Sequence, residues 1–249
     1  MNLTNIEKVF ESLLLNYKSW ILIFIVIFFL PHPHSIYQSY FTFLAMLLVT
    51  YFAHFFSHID PSNSSVHLYH HQHNNFFSHF IQILLEFVTL LLILPISYFY
   101  PSLQNYFNPW IIIFVYLFYT TVHNFNYSIL HINDVHEKHH KNLTTNIGPD
   151  ICDILFNTKM DDSIENTNHY IGNVLLSFII VFLFSNYYIP LEQEEKSIIL
   201  WIFGLLFSIS SIFILLVTFY LNILNFFSQF NKKKSKKQKK SKKQKKIPK

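Results

Sequence analysis

Three groups of histidines have the spacing of metal ligands: His54-Phe-Phe-Ser-His58, His67-Leu-Tyr-His70-His71 and His136-Glu-Lys-His139-His140. On a helix, residues at i, i+3 and i+4 share a face, so each group turns two or three imidazoles toward one point. Imidazole is a good ligand for iron, zinc or copper. With 15 histidines in 249 residues, one HxxxH is expected about once by chance, one HxxHH about 0.05 times, and two on the order of 0.001 times. Cys152 is the one cysteine, which excludes a cysteine cage or an internal disulfide. The three glycines, Gly148, Gly172 and Gly204, cannot write a Walker or Rossmann loop. The chain has no arginine, so it lacks the forked donors that read bases, and no nucleic-acid partner is expected.

The elements that must position these histidines are apolar. Half of the residues are hydrophobic and only 13% are charged, against roughly 25% in soluble domains. Apolar stretches fall at 10–30, 36–56, 81–100, 110–130, 171–190 and 197–222, each near the ~20 residues that cross a hydrocarbon core. Six crossings is the simplest count. Asn16 and Lys18 interrupt the first stretch and make it tilted or re-entrant. Pro31-His32-Pro33-His34 closes a hairpin between the first two stretches, and Pro101 to Pro109 closes another between the middle pair. The expected fold is all-α, a polytopic transmembrane bundle of four to six spans with a cytosolic, histidine-rich helical cap. It divides into an N-terminal membrane hairpin (1–35), a histidine-box domain (36–160), a C-terminal membrane hairpin (161–228) and a disordered polylysine tail (229–249). Twelve of the 18 basic residues lie between Lys232 and Lys249, leaving six against 14 acids in a body of net charge −8. The positive-inside rule keeps such a tail cytosolic. Counting back two crossings at a time puts 131–170 and 57–80, with all three histidine groups, on that same side.

The order HxxxH, an eight-residue gap, HxxHH, a membrane hairpin and a second HxxHH resembles the fatty acid hydroxylase and sterol desaturase superfamily of membrane di-iron enzymes. His123-Asn-Phe-Asn-Tyr127 lies where that family has an additional ligand. Asn146-Ile-Gly148 and Asp153-Ile-Leu-Phe-Asn-Thr158 are similar to its Asn-Tyr-Gly and Asp-Arg-Leu-Phe-Gly-Thr signatures, with Ile147 in place of tyrosine and Asn157 in place of glycine. The resemblance covers about residues 36–160. It implies two iron ions held by His54, His58, His67, His70, His71, His123, His136, His139 and His140, with His131 competing with His123 for its place. It also implies oxygen-dependent hydroxylation or desaturation of a fatty acyl chain or sterol in the endoplasmic reticulum, with electrons from cytochrome b5 and its reductase or from a ferredoxin. Acids near the ligands would fix imidazole tautomers. The candidates are Asp60, Asp134, Glu137, Asp150 and Asp153, and about two of these are expected to touch a ligand.

Two rival readings remain. His136-Glu137-Lys138-His139-His140 contains HExxH, the zinc-protease helix, though it leaves His139 and the first two groups unused. A metal transporter would need ligands in the membrane midplane, where only Gln82, Glu86 and Asn173 are polar; Glu86 is a functional candidate or a solvated headgroup-level acid. Sequons stand at Asn63, Asn126 and Asn142, the first and third on the expected cytosolic side.

Overall fold

The computed structural model describes residues 3–30, 34–59, 65–73 and 75–244, and among them every regular element is helical. Helices α1 (Leu3–Leu15) and α2 (Tyr17–Phe29) meet at 79°. The break falls at Asn16, whose buried side chain donates to the Glu165 carbonyl (2.8 Å) and accepts from the Thr167 amide (2.7 Å). Those bonds satisfy a polar group that would otherwise be stranded in an apolar run, and they tie the bend to the segment before the C-terminal hairpin. The interruption expected at Asn16 is thus a sharp kink.

Helix α3 (Ile36–Ile59) is followed by α4 (Ser65–Gln72), then by α5 (Phe76–Leu90) and α6 (Ile93–Phe99). Asn75 opens α5 with a capping box to Ser78. Helix α7 (Pro109–Thr121) starts on an Asn108 N-cap with Pro109 at its first position, where a missing N–H costs nothing. It then loosens into a π-helical segment, Val122–Ile129. Helices α8 (Val135–Lys141), α9 (Asp150–Phe156), α10 (Ile171–Tyr188) and α11 (Gln193–Gln244) complete the chain. Ile27, Ile111, Phe114, Val174 and Val181 form the centre of the core, where α3, α5 and α10 pack around α7 and α2 lies against α3 and α10.

Four helical stretches are long and apolar enough to cross a membrane, namely Ile36–His58, Phe76–Phe99, Thr167–Tyr188 and Gln193–Leu224, or five if the bent α1–α2 pair is one span. The six continuous crossings of the simplest count are therefore not all present. Stretch 10–30 is broken by its kink, and stretch 110–130 changes from α to π geometry at Val122. Val217 and Leu221, at the end of the apolar part of α11, pack against Val66 of α4 and Ile81 of α5. The end of the apolar part of α11 and the second histidine group therefore lie at the same end of the bundle. The Pro31–Pro33 turn, Asp60 and Asn63 lie outside the described residues.

Candidate metal centre

The nine histidines come from four places: the last turns of α3 (His54, His58), α4 (His67, His70, His71), the π segment (His123) and α8 (His136, His139, His140). They gather into two adjoining nests. Ligand atoms of His54, His58, His71 and His139 lie within 4.8 Å of one another, as do those of His70, His123 and His136. His67 joins the first nest, with Nε2 at 3.3 Å from His58 Nε2 and 2.9 Å from His71 Nε2. His140 joins the second, at 2.8 Å from His136 Nε2. The nests touch where the His71 and His140 ring centres stand 4.3 Å apart. The π turn matters here: it inserts a residue's worth of rotation, and π segments recur at functional sites. His123 is buried within the second nest, while His131, with φ +49°, is exposed and belongs to neither.

The hydrogen bonds decide the tautomers. His54 Nδ1 lies 2.8 Å from the Ile147 carbonyl and His139 Nδ1 lies 2.7 Å from that of Thr145. A carbonyl only accepts, so both Nδ1 atoms bear the proton and both Nε2 atoms present lone pairs. Yet those two Nε2 atoms face each other at 3.2 Å. Two lone pairs at that distance repel unless a cation lies between or beside them. His67 follows by a longer chain: Gln82 Nε2 donates to Glu86 (2.8 Å), which leaves Gln82 Oε1 to accept from His67 Nδ1 (3.1 Å). Glu86 Oε1 also takes His123 Nδ1 at 2.5 Å. The opposite nitrogen of His123, Nε2, is buried without a hydrogen-bond partner, as are both ring nitrogens of His70. Unpaired buried polar atoms are costly, and a metal ion bound in the second nest would relieve His123 Nε2 and one ring nitrogen of His70. The residues present therefore fit a metal.

Burial and the crowd of neighbouring imidazoles hold these rings neutral. The pKa values of His67, His139 and His140 are pushed down to about 4, in each case first by burial. Those of His70, His71 and His136 fall for the same two reasons. Neutral imidazole is the form that ligates.

The acids are arranged differently from expectation. Asp134 pairs with Lys138 at 3.0 Å and Glu137 with Lys141 at 2.7 Å, both on the outer face of α8. Asp150 is buried against Lys159 at 2.5 Å. Asp153 accepts from the amides of Ile147 (2.9 Å) and Gly148 (2.7 Å) and from Thr158 (2.6 Å). It thereby holds the loop whose Ile147 carbonyl orients His54, and burial raises its pKa to about 6. Among the described candidates, then, none bonds a clustered histidine directly, and Asp153 alone acts on one through the backbone. The carboxylate that does bond one is Glu86. Its signal was an i, i+4 Gln–Glu pair inside an apolar helix, an expensive placement that needs a partner.

An apolar cavity of about 90 Å³ opens against His54, His123 and His136, walled by Leu47, Val115 and Phe118. A second, of about 60 Å³, shares Leu47, Phe118, Asp150 and Tyr170 with it and extends toward Trp20, Ile23 and Phe43. A polar cleft of about 300 Å³, lined by Lys8, Lys159 and Asp161, reaches the other side of Asp153. Comparison with protein families, with curated proteins and with solved structures finds no match to this chain.

Proposed function

We propose that the chain is a membrane-bound di-iron oxygenase that hydroxylates or desaturates a lipid, with electrons from a separate donor such as cytochrome b5 with its reductase or a ferredoxin. The observation that carries this reading is the pair of touching nests, in which Nε2 lone pairs from separate helices converge beside an apolar cavity. The choice of iron rests on the resemblance in motif order described above. When bound, a pair of irons supplies the electrons to activate dioxygen, which side chains alone cannot do against an unactivated C–H bond.

The chain's own residues supply the rest. Ile147, Thr145, Gln82 and Glu86 fix four imidazole tautomers. Leu47, Val115 and Phe118 exclude water from the cavity and hold a hydrocarbon against the histidines. The lysine run that follows the apolar part of α11, whose end packs on α4, supports a cytosolic cap under the positive-inside rule. Expression in an endoplasmic reticulum follows from the resemblance alone. A zinc-protease reading is disfavoured by Glu137: its side chain is 64% exposed and bound to Lys141 on the far face of the helix, where it cannot serve as base at a histidine-bound ion.

The decisive experiment compares the lipids of cells expressing wild type and the His139→Ala, His140→Ala double variant, with iron measured in the purified wild type. A lipid species that gains oxygen or loses two hydrogens only with wild type is expected. No lipid change despite iron loading would sink the assignment.

A further inference from the structure

We propose that the cavity takes a lipid whose head donates a hydrogen bond, an uncharged hydroxyl docked on Glu165 and Tyr170, in preference to a lipid carboxylate. The inference rests on the functional reading above and names the head group of its substrate.

Glu165 is 7% exposed and lines the cavity. Its Oε1 accepts from Tyr127 (2.5 Å) and from Asn133 (2.7 Å), with His169 Nε2 at 3.9 Å, whereas its Oε2 has, among the described residues, only the Tyr170 hydroxyl at 3.4 Å. The two tyrosine hydroxyls lie 2.5 Å apart. Each hydroxyl has one proton to give and two lone pairs, and an ionised carboxylate has about four acceptor sites and no donor. Acceptors therefore outnumber donors at this pole of an otherwise apolar chamber. A hydroxyl supplies the missing donor.

A carboxylate would do the reverse. It brings only acceptors, and it would enter a space also lined by Asp150 and Asp153. Asp150 already holds Lys159, and Asp153 is filled by two amides and Thr158, so neither offers a positive partner. The second cavity adjoins this chamber across Leu47, Phe118 and Tyr170 and extends toward Ile23 and Phe43, which gives a hydrocarbon tail apolar surroundings on that side. Tyr127, bonded to Glu165, lies flat against His136 at 5.8 Å between ring centres, so the pole stands directly beside the second nest.

The test is equilibrium binding to the full chain in lipid nanodiscs with no reductant, so that nothing turns over. Radiolabelled 1-hexadecanol is competed by unlabelled hexadecanol, palmitate, hexadecane and hexadecylamine. Hexadecanol is expected to bind at least about tenfold more tightly than palmitate at neutral pH, the scale of one lost charge-assisted hydrogen bond. Glu165→Gln should erase that preference, and Tyr170→Phe should weaken hexadecanol while leaving palmitate unchanged. Palmitate binding as tightly as hexadecanol, or hexadecylamine more tightly, overturns the assignment, as does a preference that survives in Glu165→Gln. Thermal melting checks each variant; if Glu165→Gln does not fold, the wild-type ratio and Tyr170→Phe decide. Alcohol preference in a protein that yields no lipid product would count against the oxygenase reading alone.

Discussion

Glu86 reaches both nests, directly at His123 and through Gln82 at His67, so one carboxylate sets the tautomer of a ring in each. Outer partners of this kind are worth about 10–100-fold in metal affinity. Glu86→Gln should show that loss in a competition assay with a metal chelator, while Glu137→Gln, on the outward face of α8, should leave affinity and lipid product as in wild type. A protease would lose its activity in the second variant. Acid should loosen the same region. His67 and His139 have pKa values lowered from 6.5 to about 4 by burial, so the unfolded chain binds more protons and stability falls as pH drops from 6.5 toward 4. Each such ring contributes about 1.4 kcal/mol per pH unit inside that window. Chelator-treated protein should therefore melt at progressively lower temperature from pH 7 to pH 5, and a flat profile would contradict neutral buried rings. The histidines themselves were legible because ligand geometry repeats along a helix. Glu86 was half legible: an acid inside an apolar stretch marked it as a functional candidate, but its partner lies 37 positions away. Glu137 could not be set aside from spacing, since HExxH places its glutamate directly after the first histidine; its exposure and its bond to Lys141 set it aside.

At the scale of elements, short segments rather than long helices carry the precision. The loop 146–149 is pinned by Asp153, and its Ile147 carbonyl aims His54. Asp153→Ala removes three acceptor contacts from buried donors, each worth about 1–3 kcal/mol when left unsatisfied. The expected result is a lower melting temperature together with weaker metal binding, although no clustered histidine is touched; unchanged metal affinity would show that the loop does not orient His54. Sequence located the apolar stretches well, because hydropathy is a property of each residue. It could not show that 110–130 turns from α to π at Val122, since that change of register depends on what His123 and Asn124 meet across the bundle, which is Glu86. The kink at Asn16 was half legible: a polar residue marked the interruption, but its partners at 165 and 167 set the angle.

For the whole molecule, the contact of Val217 and Leu221 with α4 brings the end of the apolar part of α11, from which the chain runs on to its lysines, to the histidine end of the bundle. Mapping of glycan addition in microsomes should find Asn63 and Asn142 unmodified, and sugar at Asn63 would overturn the cytosolic cap. Asn126 should be bare for a local reason: it is buried, and its side-chain amide is bonded to the His169 carbonyl and Asn173. Parity counting from the tail rests on six crossings, whereas four stretches, or five with the bent pair, are long and apolar enough to span. Asp153 has a last consequence at this scale. It borders both the polar cleft and the apolar chamber, so the partition between wet and dry there is one side chain thick. Reduction of dioxygen consumes protons. In the reaction proposed above, those protons would come from the aqueous side across that thin partition, with no need to open the apolar chamber.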